Sequence, residues 1–226
     1  TLQTPYTWET ELSALGQEKY EDAEAKKAAF AEKWTELIAS GKLGYMALLR
    51  NLRNILEADV DDNTIKDVAE RIGDAQEVLK SKQFPFRFLS AYRELKTVCN
   101  GKVPIIMDSL EDAVQASAQN IKGFSKETRV LLACDVSGSM YTPISPKSSV
   151  KNYDIGLVLA MLLRNRCENV VTGIFGDIWK AVAMPLRGIL SNVEQMYKRE
   201  GEVGYSTNGY KVIEYLRNKN IQMDKV

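Results

Sequence analysis

One carboxylate and two hydroxyls are spaced to meet in a single loop, at Asp135, Ser137 and Ser139. Asp135 is the last residue of the apolar run RVLLACD (residues 129–135), and the two serines follow it. Such a run is typical of a buried parallel strand. Ligands in open α/β sheets bind at the carboxyl ends of strands, and alternating positions allow the three oxygens to converge there. Oxygen ligands of this kind suit Mg²⁺, Mn²⁺ or Ca²⁺. The alternative is that these side chains only cap a turn or the next helix.

The residues after this loop predict the alternating helices and strands of an α/β domain. Apolar side chains recur there at helical spacing between short apolar runs that are typical of strands. The predicted elements are a helix over residues 154–166, strands over 169–175 and 178–184, helices over 188–199 and 208–219, and the start of a strand at Lys225.

The residues before the loop predict helices almost throughout. Glycines at the ends of periodic segments, such as Gly16 and Gly41, indicate where helices stop. Short turns between antiparallel helices favour an α-solenoid of the HEAT type, with an ordinary helical bundle as the alternative. The predicted helices cover residues 7–15, 18–40, 45–56, 63–79, 85–98 and 105–121.

A polar connector, GFSKET (residues 123–128), separates the two kinds of structure. It divides the chain into two predicted domains, residues 1–123 and residues 124–226. The predicted fold class is therefore α followed by α/β, with HEAT-like helical repeats preceding a Rossmann-like domain.

Composition excludes several classes of site. The chain contains no histidine, which excludes Ser-His-Asp and Cys-His catalytic sites and the zinc sites that require histidine ligands. The three cysteines lie far apart without a CxxC pair, which favours a reducing compartment and a cytoplasmic location. No apolar run approaches the roughly 20 residues of a membrane-spanning helix, so no membrane partner is expected. The 30 basic and 30 acidic side chains balance, and neither DNA binding nor a basic tail is indicated.

The segment DVSGSM (residues 135–140) resembles the metal-ion-dependent adhesion site of von Willebrand factor type A domains. That family adds a threonine from a second loop, and Thr207 in GYSTNGY lies where the resemblance requires it. The resemblance implies a divalent cation, Mg²⁺ first, held by Asp135, Ser137, Ser139 and Thr207. The family's further Asp, at the end of the next strand, would fall beyond Val226.

Two helical segments, YMALLRNLRNIL (residues 45–56) and PFRFLSAYREL (residues 85–95), resemble the Ro autoantigen family and its bacterial relatives. In that family a ring of HEAT-like repeats, the TROVE module, is closed by a von Willebrand A domain. The order found here, helices and then DVSGSM, is the Ro order. Few helices precede Tyr45 and the sequence has no initiating Met, so we expect a piece of a longer protein.

The Ro resemblance implies that the protein binds small noncoding (Y-type) RNAs and single-stranded ends of misfolded RNAs. It also implies a role in RNA quality control with an exoribonuclease as partner. Long basic side chains suit phosphate contacts with a salt-sensitive affinity, and a solvated or ion-paired helix face is the alternative for each of them. The candidate RNA-binding residues are Arg50, Arg53, Lys82, Arg87, Arg93 and Lys96.

We therefore expect a component of a ribonucleoprotein rather than an enzyme, since no base, nucleophile or activated water is evident. One rival is a protein–protein adhesion module in which a partner's carboxylate completes the metal site. Another is an accessory subunit of an ATPase machine. Because the sequence contains no GxxxxGK motif, the ATPase itself would be another chain.

Overall fold

The computed structural model describes residues 6–226 and divides the chain into two compact units. The first unit comprises the chain up to Ser81 together with Ala91–Ala113. The second unit comprises Lys82–Ser90 together with Val114–Val226. Within the described range, no helix is both long and apolar enough to cross a membrane. The predicted domain boundary at residue 123 stays a prediction.

Helices occupy most of the chain before the first strand, as predicted. The described residues there form α1 (Trp8–Gln17), α2 (Ala23–Ala39), α3 (Tyr45–Ala58), α4 (Asp62–Gly73), α5 (Ala75–Ser81), α6 (Phe86–Leu95) and α7 (Val103–Ser117), followed by a short 3₁₀ turn at Ala118–Asn120.

Side-chain caps determine where the first two helices begin. Thr7 and Thr10 form a capping box before α1, with each backbone N–H donating to the other residue's hydroxyl at 3.0 and 3.2 Å. The predicted start of the next helix at residue 18 is wrong by five residues. Asp22 accepts a hydrogen bond from the backbone N–H of Ala25 at 2.7 Å, so α2 begins after this cap.

The single helix predicted over residues 63–79 is two helices, α4 and α5. Asp74 ends α4 with extended backbone angles, and its carboxylate accepts a hydrogen bond from the N–H of Glu77 at 2.7 Å. The same residue therefore stops one helix and caps the next. The apolar positions continue at helical spacing across the break, and Ile72 before it and Val78 after it are both buried. The spacing therefore gives no sign that the helix ends.

The core of the first unit lies among α2, α3, α4 and α5. Trp34 of α2 is 1% exposed, and Leu48 and Ile55 of α3 are fully buried. The hydroxyl of buried Tyr45 donates to the carbonyl of Ile72 at 2.8 Å, and burial raises the pKa of this phenol. Trp34 and Tyr45 are therefore core residues of this unit.

The second unit contains a three-stranded sheet with the order β1-β2-β3. Strand β1 (Val130–Asp135) runs parallel to β2 (Val170–Phe175), and β3 (Trp179–Ala181) returns antiparallel at the edge. An isolated parallel bridge joins Val130 to Lys225, where the sequence predicts the start of a strand. The strand predictions are thus confirmed, with boundaries shifted by a few residues.

Helices cover this sheet. Helix α8 (Asn152–Arg164) connects β1 to β2 and packs against both strands, whereas α9 (Ile189–Met196) packs on α8. Helix α10 (Tyr210–Asn218) contributes Val212 and Leu216 to a buried cluster with Leu131 of β1. A parallel pair joined by a crossover helix is the expected solution for a strand as apolar as β1.

Candidate functional site

Strand β1 delivers Asp135 to the carboxyl end of the sheet. Asp135 pairs with Phe175 of β2, and the N–H of Val136 donates to the Phe175 carbonyl at 3.0 Å. Beyond Val136 the chain leaves the sheet. The half-buried Asp135 side chain therefore stands where ligands bind in open α/β sheets.

A tight turn brings the two serines next to this carboxylate. The N–H of Ser137 donates to Asp135 Oδ1 at 2.9 Å, and a 3₁₀ turn follows over Gly138–Tyr141. Ser137 is fully buried, whereas Ser139 is exposed, and their hydroxyl oxygens are 3.4 Å apart. This local network also agrees with the simpler alternative that Asp135 only caps a turn.

Thr207 reaches this turn from a distant loop. Its hydroxyl donates to Ser137 Oγ at 2.9 Å across 70 residues of sequence. The N–H of Gly138 donates to the Tyr205 carbonyl at 2.8 Å, so the backbone of the same loop is also fixed to the turn. If Asp135 only capped a local turn, no contact from a second loop would be needed. The contact therefore favours a shared site over a local turn.

Asp177 positions the Thr207 loop, and the sequence reasoning missed it. Its Oδ1 accepts a hydrogen bond from the Ser206 N–H at 2.8 Å, and its own N–H donates to the Val203 carbonyl at 2.7 Å. Hydrogen bonds from the side chain and backbone of Ser206 hold the pKa of Asp177 below its ordinary value. The available signal was the dipeptide Gly176-Asp177, which places a carboxylate two residues after a predicted strand.

Two glycines allow this loop to lie against the hairpin. Gly204 has a φ of +78°, and a Cβ there would collide with the Asp177 carboxylate. Gly176 is packed so closely that a Cβ would meet the Gly204 carbonyl oxygen and would lie 2.8 Å from that of Val203. Neither position accepts a side chain without movement of the loop that carries Thr207.

The oxygens gathered here suit a hard cation. One carboxylate and three hydroxyls, from Asp135, Ser137, Ser139 and Thr207, are the ligand types that Mg²⁺ and Ca²⁺ take from proteins. Among the described residues, no three His, Cys, Asp or Glu side chains cluster as a metal site. A cation bound here would therefore depend on the hydroxyls. The residues present fit such an ion, and their metal role stays a prediction.

The candidate RNA-binding residues are distributed over both units. Arg50 and Arg53 lie exposed on α3, and Arg53 forms an ion pair with Glu57 at 2.8 Å. Lys82 is exposed with a φ of +50°, and the guanidinium of Arg87 lies 5.6 Å from the Phe86 ring centroid. The structure places Arg93 half-buried and Lys96 exposed near the end of α6. RNA contact by any of the six stays a prediction.

Comparisons with known proteins identify the family. The chain matches the TROVE domain over residues 1–130, which is more than half of its length. Telomerase protein component 1 of Rattus norvegicus is 42% identical over 94 residues, which cover 42% of this chain and 3% of that protein. Its counterpart in Mus musculus is 41% identical over 91 residues, covering 40% of this chain and 3% of that protein. The alignments therefore span only a small part of these curated relatives.

A solved structure has a similar fold. The crystal structure of the Ro protein of Deinococcus radiodurans superposes with a TM-score of 0.54 and 20% sequence identity. The superposition covers 95% of this chain and 51% of that one, and at this identity it shows likeness of fold alone. The TROVE match confirms the resemblance seen in residues 45–56 and 85–95. The chain belongs to the Ro/TROVE family.

Proposed function

We propose that this chain is an RNA-binding protein of the Ro type rather than an enzyme. It would hold small noncoding RNAs of the Y type and single-stranded ends of misfolded RNAs, and so serve in RNA quality control. The observation that carries the proposal is the TROVE match over residues 1–130. The exposed positions of Arg50 and Arg53 on α3 support it, because a phosphate backbone can approach exposed arginines. Arg53 would exchange its ion pair with Glu57 for a phosphate.

Salt dependence of RNA binding tests this proposal. A fluorescent hairpin RNA with a single-stranded 3′ tail is titrated with the protein, and the dissociation constant is measured by anisotropy from about 50 to 200 mM salt. We expect affinity to fall steeply as salt rises, because each phosphate contact releases counterions. Arg50→Gln should weaken binding and reduce the slope of log K against log salt by about 0.7 to 1.

The control is Arg217→Gln, which removes an exposed arginine from α10 in the second unit. It should leave both the affinity and the salt slope unchanged. Absence of RNA binding at the lowest salt concentration would refute the proposed function and favour the adhesion-module alternative.

For the second unit, we propose a von Willebrand A-type domain with a divalent cation at Asp135, Ser137, Ser139 and Thr207. Mg²⁺ is the preferred ion, with Mn²⁺ or Ca²⁺ as alternatives. The hydrogen bond between Thr207 and Ser137 supports this assignment, since it brings together residues from two loops. Ser139 and Thr207 are exposed, so a carboxylate of a protein partner would have access to the ion. An exoribonuclease is the partner class that the RNA role calls for.

Magnesium should stabilise the wild-type protein and not the Asp135→Asn variant. At a Mg²⁺ concentration about 100 times its dissociation constant, a site present only in the folded state adds about 2.7 kcal/mol. The measurement is the melting temperature with and without Mg²⁺. Asp224→Asn is the control, because Asp224 binds Arg129 at the opposite end of β1, and this variant should keep the full Mg²⁺ response. Equal responses in wild type and Asp135→Asn would exclude the metal site.

A further inference from the structure

A cavity of about 440 Å³ opens in the first unit, among α1, α2 and α3. Cavities that hold small organic ligands usually have volumes of roughly 300–1,000 Å³. None of its lining residues belongs to the proposed cation site. Neither the TROVE match nor the cation site gives this cavity a role.

Aromatic rings form much of its wall. Trp8 of α1 and Phe30 and Trp34 of α2 all line the cavity. Trp34 is 1% exposed and belongs to the core, whereas Trp8 and Phe30 are half-buried. Partly exposed rings beside a cavity are the surfaces on which proteins stack unpaired nucleobases.

Two asparagines add hydrogen-bonding groups to this wall. Asn51 is 4% exposed, and its Nδ2 donates to the Ala47 carbonyl at 2.9 Å. Asn54 is exposed, and its Nδ2 donates to Asn51 Oδ1, also at 2.9 Å. An amide nitrogen has two hydrogens, so Asn54 keeps one N–H and its carbonyl oxygen for a ligand. This pair of donor and acceptor matches the N7 and N6 edge of adenine.

Two lysines and one carboxylate line the cavity. Lys26 lies 5.9 Å from the Phe30 ring centroid, and Lys27 also lines the cavity, 3.7 Å from Asp59. The one lining carboxylate on α3, Glu57, is paired with Arg53. Arg50 precedes Asn54 by four residues, so these two side chains are neighbours on one face of α3. Phosphates flanking a bound base would therefore find cations nearby.

We propose that this cavity binds a nucleobase of single-stranded RNA, with adenine preferred. The proposal rests on the RNA-binding function above and names the site where the strand is held. The base would stack on Trp8 and Phe30, and its edge would bond to the Asn54 amide. An apolar protein side chain is the weaker fit, because it would make no hydrogen bond to the second Asn54 N–H or to the Asn54 carbonyl oxygen.

Tryptophan fluorescence reports directly on this site. The chain has three tryptophans, two of which line the cavity, and Trp179→Phe removes the emission of the third. The Trp179→Phe protein is titrated with adenosine 5′-monophosphate and, separately, with an oligoadenylate. We expect both to quench the emission, with weaker quenching by uridine 5′-monophosphate. Binding of labelled oligoadenylate is measured in parallel by anisotropy.

Exposed side chains provide variants that should fold normally. Asn54→Ala should raise the dissociation constant of adenosine monophosphate about tenfold, the loss expected for one bidentate contact. Lys26→Ala should weaken the oligonucleotide through a lost phosphate contact. The matched controls are Asn63→Ala and Lys66→Ala on α4, both exposed and outside the cavity wall, and they should change neither constant.

The outcomes separate this proposal from the general RNA function. RNA binding without tryptophan quenching, and unchanged by Asn54→Ala, would overturn the nucleobase site and leave the RNA function standing. Quenching by the mononucleotide without binding of any RNA would support the site and overturn the RNA function. A response to an apolar probe such as cyclohexanol, with none to nucleotides, would assign the cavity to an apolar side chain and overturn the proposal. Absence of every response would overturn both.

Discussion

Replacement of Gly176 by alanine is expected to destabilise the second unit by about 1–3 kcal/mol and to abolish its response to Mg²⁺. The new methyl group would collide with the Gly204 carbonyl and with that of Val203. Relief of this contact requires the loop to move away from the hairpin. That movement would break the bonds from the Asp177 N–H to Val203 and from the Asn208 N–H to Gly176. Thr207 lies between these anchors and would move with them.

Gly156→Ala is the matched control for this substitution. Gly156 lies inside α8, where a Cβ would meet nothing within 4 Å. Alanine favours the helix over glycine by roughly 1 kcal/mol, so this variant should be as stable as wild type or more stable. Urea unfolding and the Mg²⁺-dependent shift in melting temperature are measured for both variants. A Gly176→Ala protein with wild-type stability and Mg²⁺ response would contradict the close packing described here.

Trp34→Ala should produce the largest loss of stability in the first unit, about 3–5 kcal/mol. Trp34 is 1% exposed, and its removal deletes the largest buried side chain of this unit. The void would merge with the cavity beside it, so neighbouring side chains could not close over the gap. The measurement is urea unfolding followed by far-ultraviolet circular dichroism.

Two further variants provide references for the free energy of unfolding lost in Trp34→Ala. Trp34→Phe keeps an aromatic ring in the core and should cost distinctly less than alanine. Glu32→Ala alters an exposed residue of the same helix and should stay within about 0.5 kcal/mol of wild type. Equal stabilities for Trp34→Ala and Glu32→Ala would show that Trp34 is not a core residue.

Elements with both a strong apolar pattern and clear end signals were predicted well from the sequence. Helix α3 follows Gly44 and buries the apolar positions that its periodicity indicates, among them Leu48, Leu52 and Ile55. Strand β1 differs by one residue from its predicted range, because a continuous apolar run before a loop has few other structures available.

Elements whose ends depend on one polar side chain were predicted less well. Asp22 delays the start of α2, and Asp74 divides a predicted helix into α4 and α5. In both cases the apolar spacing continues past the Asp, so periodicity alone does not locate the end of the helix. An Asp followed three residues later by Glu is a sequence signal for a helix start, and Asp74 with Glu77 has this spacing.

The candidate site was only partly visible in the sequence. The spacing of Asp135, Ser137 and Ser139 indicates their convergence, whereas Thr207 came only from the family resemblance. Asp177 was missed because its role depends on how a hairpin and a distant loop pack together. Likewise, no linear pattern joins Trp8, Phe30 and Asn54, because the cavity exists only after three helices have packed.

The hydrogen bond between Thr207 and Ser137 also has a consequence for the order of folding. It closes a loop of 70 residues, so its entropic cost is repaid only after β1, α8 and β2 have assembled. On a ribosome, the turn at Ser137 emerges long before its partner. A contact formed late slows unfolding more than it speeds folding. A cation bound at these oxygens would therefore lengthen the lifetime of the folded unit while leaving its rate of formation nearly unchanged.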